Sequence, residues 1–239
     1  MIDPGVLLCE RCGYEVRGLP ITDSCPECGR PVAESSLDRR VGSAWQRRPG
    51  PISMVATAAR TLTRPVGRWS EVSADAPSSS ALLWVTTLAA VVVFPVTPLI
   101  VTATFRLSAA ALTPIVALAT WAGLLGLSWI EARGVRLIGR LRHARVTRHV
   151  AYAVVGHASA GWLAGAILAA GTTLTLAALQ PRSLLLADLG IGVVVAGVVG
   201  LVWFEVLTSL GLRRMRFANH PASADQPVRA GAAGVKAGS

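Results

Sequence analysis

Four cysteines near the start of the chain form two Cys-x-x-Cys pairs, Cys9 with Cys12 and Cys25 with Cys28. Twelve residues separate the pairs, so two tight turns can present four thiolates to one tetrahedral metal ion. A segment of about 35 residues cannot build an adequate hydrophobic core, so the metal would supply much of its folding energy. The spacing therefore predicts a small zinc ribbon over residues 1–33.

A glycine follows each pair, Gly13 and Gly29. Backbone with positive φ is expected there, because it turns N–H groups toward the sulfurs and glycine adopts it without steric penalty. All four ligand positions are cysteine, which leaves no open coordination site and predicts a structural metal. The run also resembles short rubredoxin-like iron sites, which often accompany di-iron bundles built with Glu-x-x-His pairs. The chain has no such pair, so Zn²⁺ is favoured and iron is the alternative.

Two ionisable residues, His157 and Glu205, lie deep within apolar stretches. Each is seven residues from the arginine-rich end of its predicted helix, a distance of roughly 10 Å at 1.5 Å per residue. Neighbouring antiparallel helices would place them at one level, as a hydrogen-bonded intramembrane pair. Such a pair either pins two helices together or serves a proton or ion pathway. No arrangement of a nucleophile with a base can be assembled, so no catalytic residue and no enzyme activity are predicted.

The elements that hold these residues are long apolar stretches. A membrane-spanning helix needs about 20 mostly apolar residues, and four stretches meet that length. The chain is 52% hydrophobic and 15% charged, with a mean hydropathy of +0.53, which is too apolar for an ordinary soluble domain. We therefore predict an all-α polytopic membrane bundle over residues 81–212, preceded by the ribbon. The predicted spans are 81–104, 108–131, 150–179 and 184–212.

The arginines predict the orientation of the bundle. Of 23 Lys and Arg residues, ten precede the first span, six lie between the second and third spans, and five follow the last. Only Arg106 and Arg182 lie in the other two connections. Basic loops stay in the cytoplasm, so both termini and the central loop are predicted on the cytoplasmic side of an inner membrane. Because topology explains the net charge of +10, a nucleic-acid partner is disfavoured.

The remaining segments are predicted from composition and periodicity. Residues 34–51 read as a flexible basic linker, 73–80 as a hinge, and 213–239 as a disordered tail rich in Ala, Gly, Pro and Ser. Residues 52–72 predict an amphipathic helix lying on the membrane and interrupted near Pro65. The arginines expected to bind lipid headgroups lie on this helix and after the second span. They are Arg60, Arg64, Arg68, Arg133, Arg136 and Arg140.

The chain resembles bacterial multi-pass membrane proteins of unassigned role that carry a Cys-x-x-Cys-Gly-Tyr and Cys-Pro-x-Cys-Gly ribbon. From about Ile52 onward it also resembles the Yip-type membrane domain, in which an amphipathic helix with an Arg-Pro step, here Arg64-Pro65, precedes closely packed spans. That family usually has five spans. A break of the third run between Gly156 and Gly161 would reconcile five with the four counted here. The resemblance implies membrane-shaping or trafficking roles.

Two functions are compatible with these features. The first is a non-enzymatic membrane adaptor whose ribbon recruits a protein partner. The second is a small transporter or proton-coupled permease that uses His157 and Glu205. The lipid bilayer is a partner in both. The ribbon residues expected to face a protein partner lie on the loop between the cysteine pairs: Tyr14, Val16, Arg17 and Leu19.

Overall fold

The computed structural model describes residues 6–36, 39–103, 107–179 and 186–219. Within these ranges the chain is mainly helical, as predicted, and it contains no β-strand. Two isolated antiparallel bridges, Leu8 with Glu15 and Ser24 with Pro31, lie in the cysteine-containing segment. We call residues 6–36 the cysteine module.

Eight α-helices follow the cysteine module within the described residues. The first three precede the apolar bundle, and the other five form it. They are α1 (Ala44–Arg47), α2 (Pro51–Thr63), α3 (Pro65–Arg68), α4 (Ala76–Ala103), α5 (Leu107–Leu141), α6 (Arg148–Ala158), α7 (Ala160–Leu179) and α8 (Leu186–Met215).

Four helical stretches of the described chain are long and apolar enough to cross a membrane, in agreement with the predicted number. They are Ala76–Phe94, Pro114–Leu141, Arg148–Thr175 and Val194–Met215. The second of these exposes large apolar side chains such as Ile115 (65%), Leu118 (63%) and Ile130 (62%). Apolar area of this kind is stabilised by lipid and would be unfavourable in water.

The third span is interrupted once, at Ser159 between α6 and α7. The Ser159 side chain donates a 2.6 Å hydrogen bond to the carbonyl of Gly156, and its backbone stays in the right-handed helical region. This break falls within the predicted interval. It does not add a span, because α6 and α7 together supply one crossing, Arg148–Thr175.

Helices α7 and α8 pack closely through small residues. A methyl group added at Gly165 would lie 2.8 Å from the Cα of Gly200 and 3.0 Å from the carbonyl oxygen of Ala196. A methyl group at Gly161 would lie 2.6 Å from the backbone nitrogen of Phe204. Glycine therefore lets the two backbones touch, as in many membrane helix pairs.

The predicted amphipathic segment forms α2 and α3, separated at Arg64 as expected for a residue that precedes proline. Helix α2 buries Thr57 and Thr61 against the protein. Its apolar edge faces outward, with Ile52 87% and Val55 57% exposed. An exposed apolar edge fits a helix that lies in the surface layer of a membrane.

Three segments are more ordered than their composition predicts. In the segment predicted as a flexible linker, α1 begins with a capping box between Ser43 and Gln46, and Trp45 is buried. The predicted hinge 73–80 is helical from Ala76, because proline is tolerated in a first helical turn. In the predicted tail, α8 continues to Met215, and Phe217 to Asn219 are buried. The rest of that tail lies outside the described residues.

Candidate metal centre and its docking interface

The two cysteine pairs form matching turns. In the first, the Gly13 N–H donates to the carbonyl of Cys9 (2.9 Å). In the second, the Gly29 N–H donates to the carbonyl of Cys25 (2.8 Å). Both glycines have positive φ, +83° and +69°. The prediction from the position of these glycines is confirmed, and each turn presents its two sulfurs on one side.

The four sulfurs lie within 4.8 Å of one another. The Sγ atoms of Cys9 and Cys28 are 3.6 Å apart, and so are those of Cys12 and Cys25. Four thiolates around a zinc ion at about 2.3 Å would be roughly 3.8 Å apart in a regular tetrahedron. All four thiols are free, not disulfide-bonded. The cluster could therefore bind a metal ion such as zinc after only a small adjustment.

The backbone around Cys9 favours a thiolate. Burial alone would raise the pKa of the Cys9 thiol, but the backbone N–H groups of Cys12 and Arg11 lower it to about 7. Hydrogen bonds to the charged form have this effect on any acid. Burial raises the pKa of the neighbouring Cys12 thiol to about 12, so metal binding by the whole cluster would still release protons.

The interior of the cysteine module is small. Cys9, Val16, Cys25 and Val32 form its buried cluster. Val16 was predicted to face a partner, but it is only 1% exposed. It is one of only two aliphatic side chains in this buried cluster, and the module therefore needs it in its interior. Tyr14 remains exposed (41%). With so little apolar surface to bury, the module needs additional stabilisation from a metal or from the rest of the chain.

Comparisons with known proteins assign no family. No family model matches the chain, and neither a curated protein nor a solved structure matches it. The resemblance to the Yip-type domain and to ribbon-bearing membrane proteins therefore has no support beyond the residues that suggested it.

The rest of the chain does stabilise the module. Asn219 lies four residues after the end of α8, and its side chain hydrogen-bonds both the N–H and the carbonyl of Leu8. The Leu8 N–H donates to Oδ1 of Asn219 (3.0 Å), and Nδ2 of Asn219 donates to the Leu8 carbonyl (2.8 Å) and to the Ser35 carbonyl (2.9 Å). Asn219 is 2% exposed. One side-chain amide thus satisfies the N–H and the carbonyl of Leu8, which the bridge to Glu15 does not use.

A buried ion pair joins the same turn to the segment before α4. The Nε and Nη2 atoms of Arg40 donate to the two carboxylate oxygens of Glu10 at 2.6 and 2.9 Å. The Nη1 atom of Arg40 donates to the carbonyls of Trp69 (2.8 Å) and Val72 (2.9 Å). The side chains of Arg40 and Glu10 are 5% and 8% exposed. The charges are therefore desolvated and matched in a bidentate geometry.

The loop between α5 and α6 completes the interface. Arg145 in this loop donates from Nη1 to the carbonyl of Val6 and from Nη2 to Oδ1 of Asn219 (2.9 Å). The ring of Phe217 packs against Gly13 so closely that a Cβ added to Gly13 would lie 2.7 Å from the nearest ring carbon. Three separate parts of the chain therefore surround the first cysteine turn.

These contacts also place several helix termini together. Helix α5 ends and α6 begins on either side of the Arg145 loop, and α8 ends just before Asn219. We call this end of the bundle the basic end, because several arginines lie at or next to these helix termini: Arg140, Arg142, Arg145, Arg148, Arg213, Arg214 and Arg216. The sequence did not predict this cluster, because no spacing rule connects residues so far apart in the chain: Glu10, Arg40, Arg145 and Asn219.

The structure does not bring His157 and Glu205 together. His157 is buried (1%), and its Nδ1 is 2.8 Å from the carbonyl oxygen of Ala153. Its Nε2 has no hydrogen-bond partner, and its ring lies edge-on to Trp69 with centroids 6.2 Å apart. Glu205 is exposed on the surface of α8. Its neighbour Phe204 occupies the inward position instead, stacked on Trp162 with centroids 4.7 Å apart.

The six predicted headgroup arginines have different environments. Arg60, Arg64, Arg133 and Arg140 are exposed, and Arg136 is half-buried. Arg133 lies over the ring of Trp129, 4.0 Å from its centroid. Arg68 differs from the prediction, because its side chain is 2% exposed and forms an ion pair with Glu71. It lies at the end of α3, which turns that position toward the bundle rather than toward a membrane surface.

Proposed function

We propose that the protein is a non-enzymatic inner-membrane adaptor whose cysteine module, held by a structural Zn²⁺, is a fixed platform at the cytoplasmic end of the bundle. The observation that carries this proposal is the Leu8–Asn219 contact with its neighbours. A module tied to three parts of the membrane domain presents its outer surface at a constant position and orientation. A partner that binds this surface would be held at a defined place on the membrane.

The cytoplasmic side rests on the arginine distribution. The basic end lies beside the cysteine module, and basic residues next to spans are retained in the cytoplasm. A reducing cytoplasm keeps thiols free for a metal. Zinc is preferred to iron because nothing in the described chain supplies a redox partner for an iron site. In this proposal the metal ion binds no substrate, since four thiolates complete its coordination.

The surface proposed for partner recognition is the outer loop of the module. Tyr14 and Ile21 are exposed by 41% and 60%, and the Arg17 side chain is about half exposed. Aromatic and arginine side chains are enriched at the centres of protein interfaces. Leu8, Glu10 and Gly13 already contact other parts of the chain. We therefore assign partner binding to this outer loop rather than to the first cysteine turn.

Site-specific crosslinking tests the proposal. A photoreactive amino acid at position 21 should give a discrete protein adduct in cells, and the adduct should disappear in the Cys25→Ser variant. Val41 is a matched control, because it is equally exposed (61%) but lies outside the module. An adduct at position 21 that persists without the metal site, or an identical adduct at position 41, would refute recruitment by the module.

The transporter hypothesis has less support, because it requires His157 and Glu205 to act together and the two side chains do not meet. Alanine at either position distinguishes the hypotheses. A transporter would lose flux in both variants. The adaptor should keep its crosslinked partner in both, with some loss of thermal stability for His157→Ala alone, since only that side chain is buried.

A further inference from the structure

A small pocket with three arginines opens at the basic end of the bundle. Its volume is about 80 Å³. The end of α5 and the loop after it form one wall, and the end of α8 forms the other. The lining residues are Ile138, Gly139, Arg142, Ala144, Leu212, Arg213, Arg216 and Phe217. We call this the arginine pocket, and we propose that it binds the phosphate group of an anionic phospholipid.

The charge of the pocket calls for an anion. Arg142, Arg213 and Arg216 line it together, and no acidic residue does. Within the described part of the chain, none of the three forms an ion pair with a carboxylate. One N–H of Arg216 donates to the carbonyl of Arg11 (2.9 Å), which leaves most of its guanidinium donors for another acceptor. Guanidinium groups match the oxygens of a phosphate in a bidentate geometry.

The helix dipoles do not account for this charge. Arginines often occupy the C-terminal ends of helices, because each end carries roughly half a negative charge. Both α5 and α8 end at the pocket. Two such ends offset about one positive charge, whereas three arginines are present. A net positive charge remains, and a phosphodiester would neutralise it.

The apolar part of the pocket favours a lipid over free phosphate. Ile138, Leu212 and Phe217 are the large apolar residues of its lining. Ile138 belongs to the last turns of α5, where Leu137 and Leu141 are exposed by 57% and 71% and would contact lipid. An inorganic anion gains nothing from such side chains, but the glycerol and first methylene groups of a phospholipid do. The volume is well below the roughly 300–1,000 Å³ of sites that enclose whole small molecules, which excludes a larger metabolite but accommodates a phosphate group of either source.

The pocket differs from the surface arginines predicted to contact headgroups. The exposed ones, Arg60, Arg64, Arg133 and Arg140, lie singly on α2, at its C-terminal end and on α5. The pocket instead joins residues distant in sequence into one concave site. Two of its members also contact the cysteine module, Phe217 at Gly13 and Arg216 at Arg11. A bound phospholipid would therefore contact the residues that hold the first cysteine turn. This inference does not depend on the recruitment of a protein partner.

Thermal unfolding of the purified full chain in neutral detergent tests the assignment. The probes are short-chain phosphatidylglycerol, phosphatidylcholine of equal chain length, and inorganic phosphate. Phosphatidylglycerol at ten times its dissociation constant should shift the folding equilibrium about elevenfold, with saturation. Arg142→Gln and Arg213→Gln should each weaken its binding by about tenfold or more. Arg64→Gln removes one exposed charge outside the pocket and should leave binding unchanged.

Several outcomes would overturn the proposal. Equal stabilisation by phosphatidylcholine would show that the net charge of the lipid is not recognised. Equal stabilisation by inorganic phosphate would identify a free anion as the ligand instead of a lipid. An equal loss of binding in Arg64→Gln would reduce the effect to general surface charge. Arg142→Lys is the control for misfolding, because it keeps the positive charge and should retain part of the affinity for phosphatidylglycerol. Full loss of binding in Arg142→Gln with no loss in Arg213→Gln would exclude a site shared by the two arginines.

Discussion

Asn219 and Leu8 form a closed pair of hydrogen bonds, although 211 positions separate them in the chain. The Asn219 side chain accepts from the N–H of Leu8 and donates to its carbonyl. Leu8 directly precedes the first metal-ligand candidate, and Asn219 lies four residues after the end of the last long apolar helix. The pair therefore links the cysteine module, next to its first cysteine, to the C-terminal end of the helical bundle.

Removal of the Asn219 side chain should loosen this link. Asn219→Ala leaves the buried N–H and carbonyl of Leu8 without partners, which costs about 1–3 kcal/mol for each unsatisfied group. We expect a lower thermal midpoint in detergent and faster proteolysis between residues 6 and 36. Arg214→Ala is the control, because Arg214 is exposed at the same end of α8. Equal proteolysis of the two variants would contradict the proposed link.

The Arg40–Glu10 pair should show strong coupling in a double-mutant cycle. Because both side chains are buried, Arg40→Met or Glu10→Gln alone leaves an unpaired polar or charged group and should cost about 3–5 kcal/mol in unfolding free energy. The double variant should lose much less than the sum of the two single losses. The exposed pair Arg39–Glu34 offers the comparison, with an expected coupling of about 0.2–1 kcal/mol. Similar coupling in the two pairs would contradict the burial of Arg40.

The contact between α7 and α8 should be sensitive to a single methyl group. Gly165→Ala places Cβ within 3.0 Å of the backbone of α8, and overpacking of this kind costs about 1–3 kcal/mol. Gly171 lies on the same helix with nothing within 4 Å of an added Cβ. Gly171→Ala should therefore be neutral or stabilise the helix by up to about 1 kcal/mol. The thermal midpoint in detergent should fall for Gly165→Ala and should stay the same or rise for Gly171→Ala. An equal fall in both variants would reject this packing.

Metal content should follow the four cysteines. The purified chain should carry one zinc ion per molecule by elemental analysis, and Cys25→Ser should lose most of it, because three thiolates leave an incomplete tetrahedral site. Alkylation of the remaining thiols should accelerate when a chelator removes the metal. Full metal occupancy in Cys25→Ser, or iron in place of zinc, would contradict the assigned centre.

The sequence was sufficient for features that depend on local chemistry. Apolar length predicted four spans, Cys-x-x-Cys spacing predicted the cysteine cluster, and Pro65 predicted the division between α2 and α3. These features follow from residues that are neighbours in the chain. The positive φ of Gly13 and Gly29 is a further example, since the tight turn alone requires it.

Features that depend on distant contacts were not predictable. Asn219 lies at the start of an Ala- and Pro-rich segment, where composition predicts disorder, but its contacts with Leu8, Ser35 and Arg145 order it. Arg40 was assigned to a flexible linker because its partner Glu10 is 30 positions away. Helix rotation is a second limit. One residue turns a helix by about 100°, so Phe204 points inward and Glu205 outward, which removes the predicted pair with His157.

Hydrogen–deuterium exchange with and without the metal tests the central claim most directly. The claim is that a metal-held cysteine module is docked on the basic end of the bundle. Chelation should increase exchange together at residues 6–16, at the loop containing Arg145 and at residues 215–219, while the centre of α4 stays protected. Increased exchange confined to the module, with residues 215–219 as protected as before, would contradict the claim.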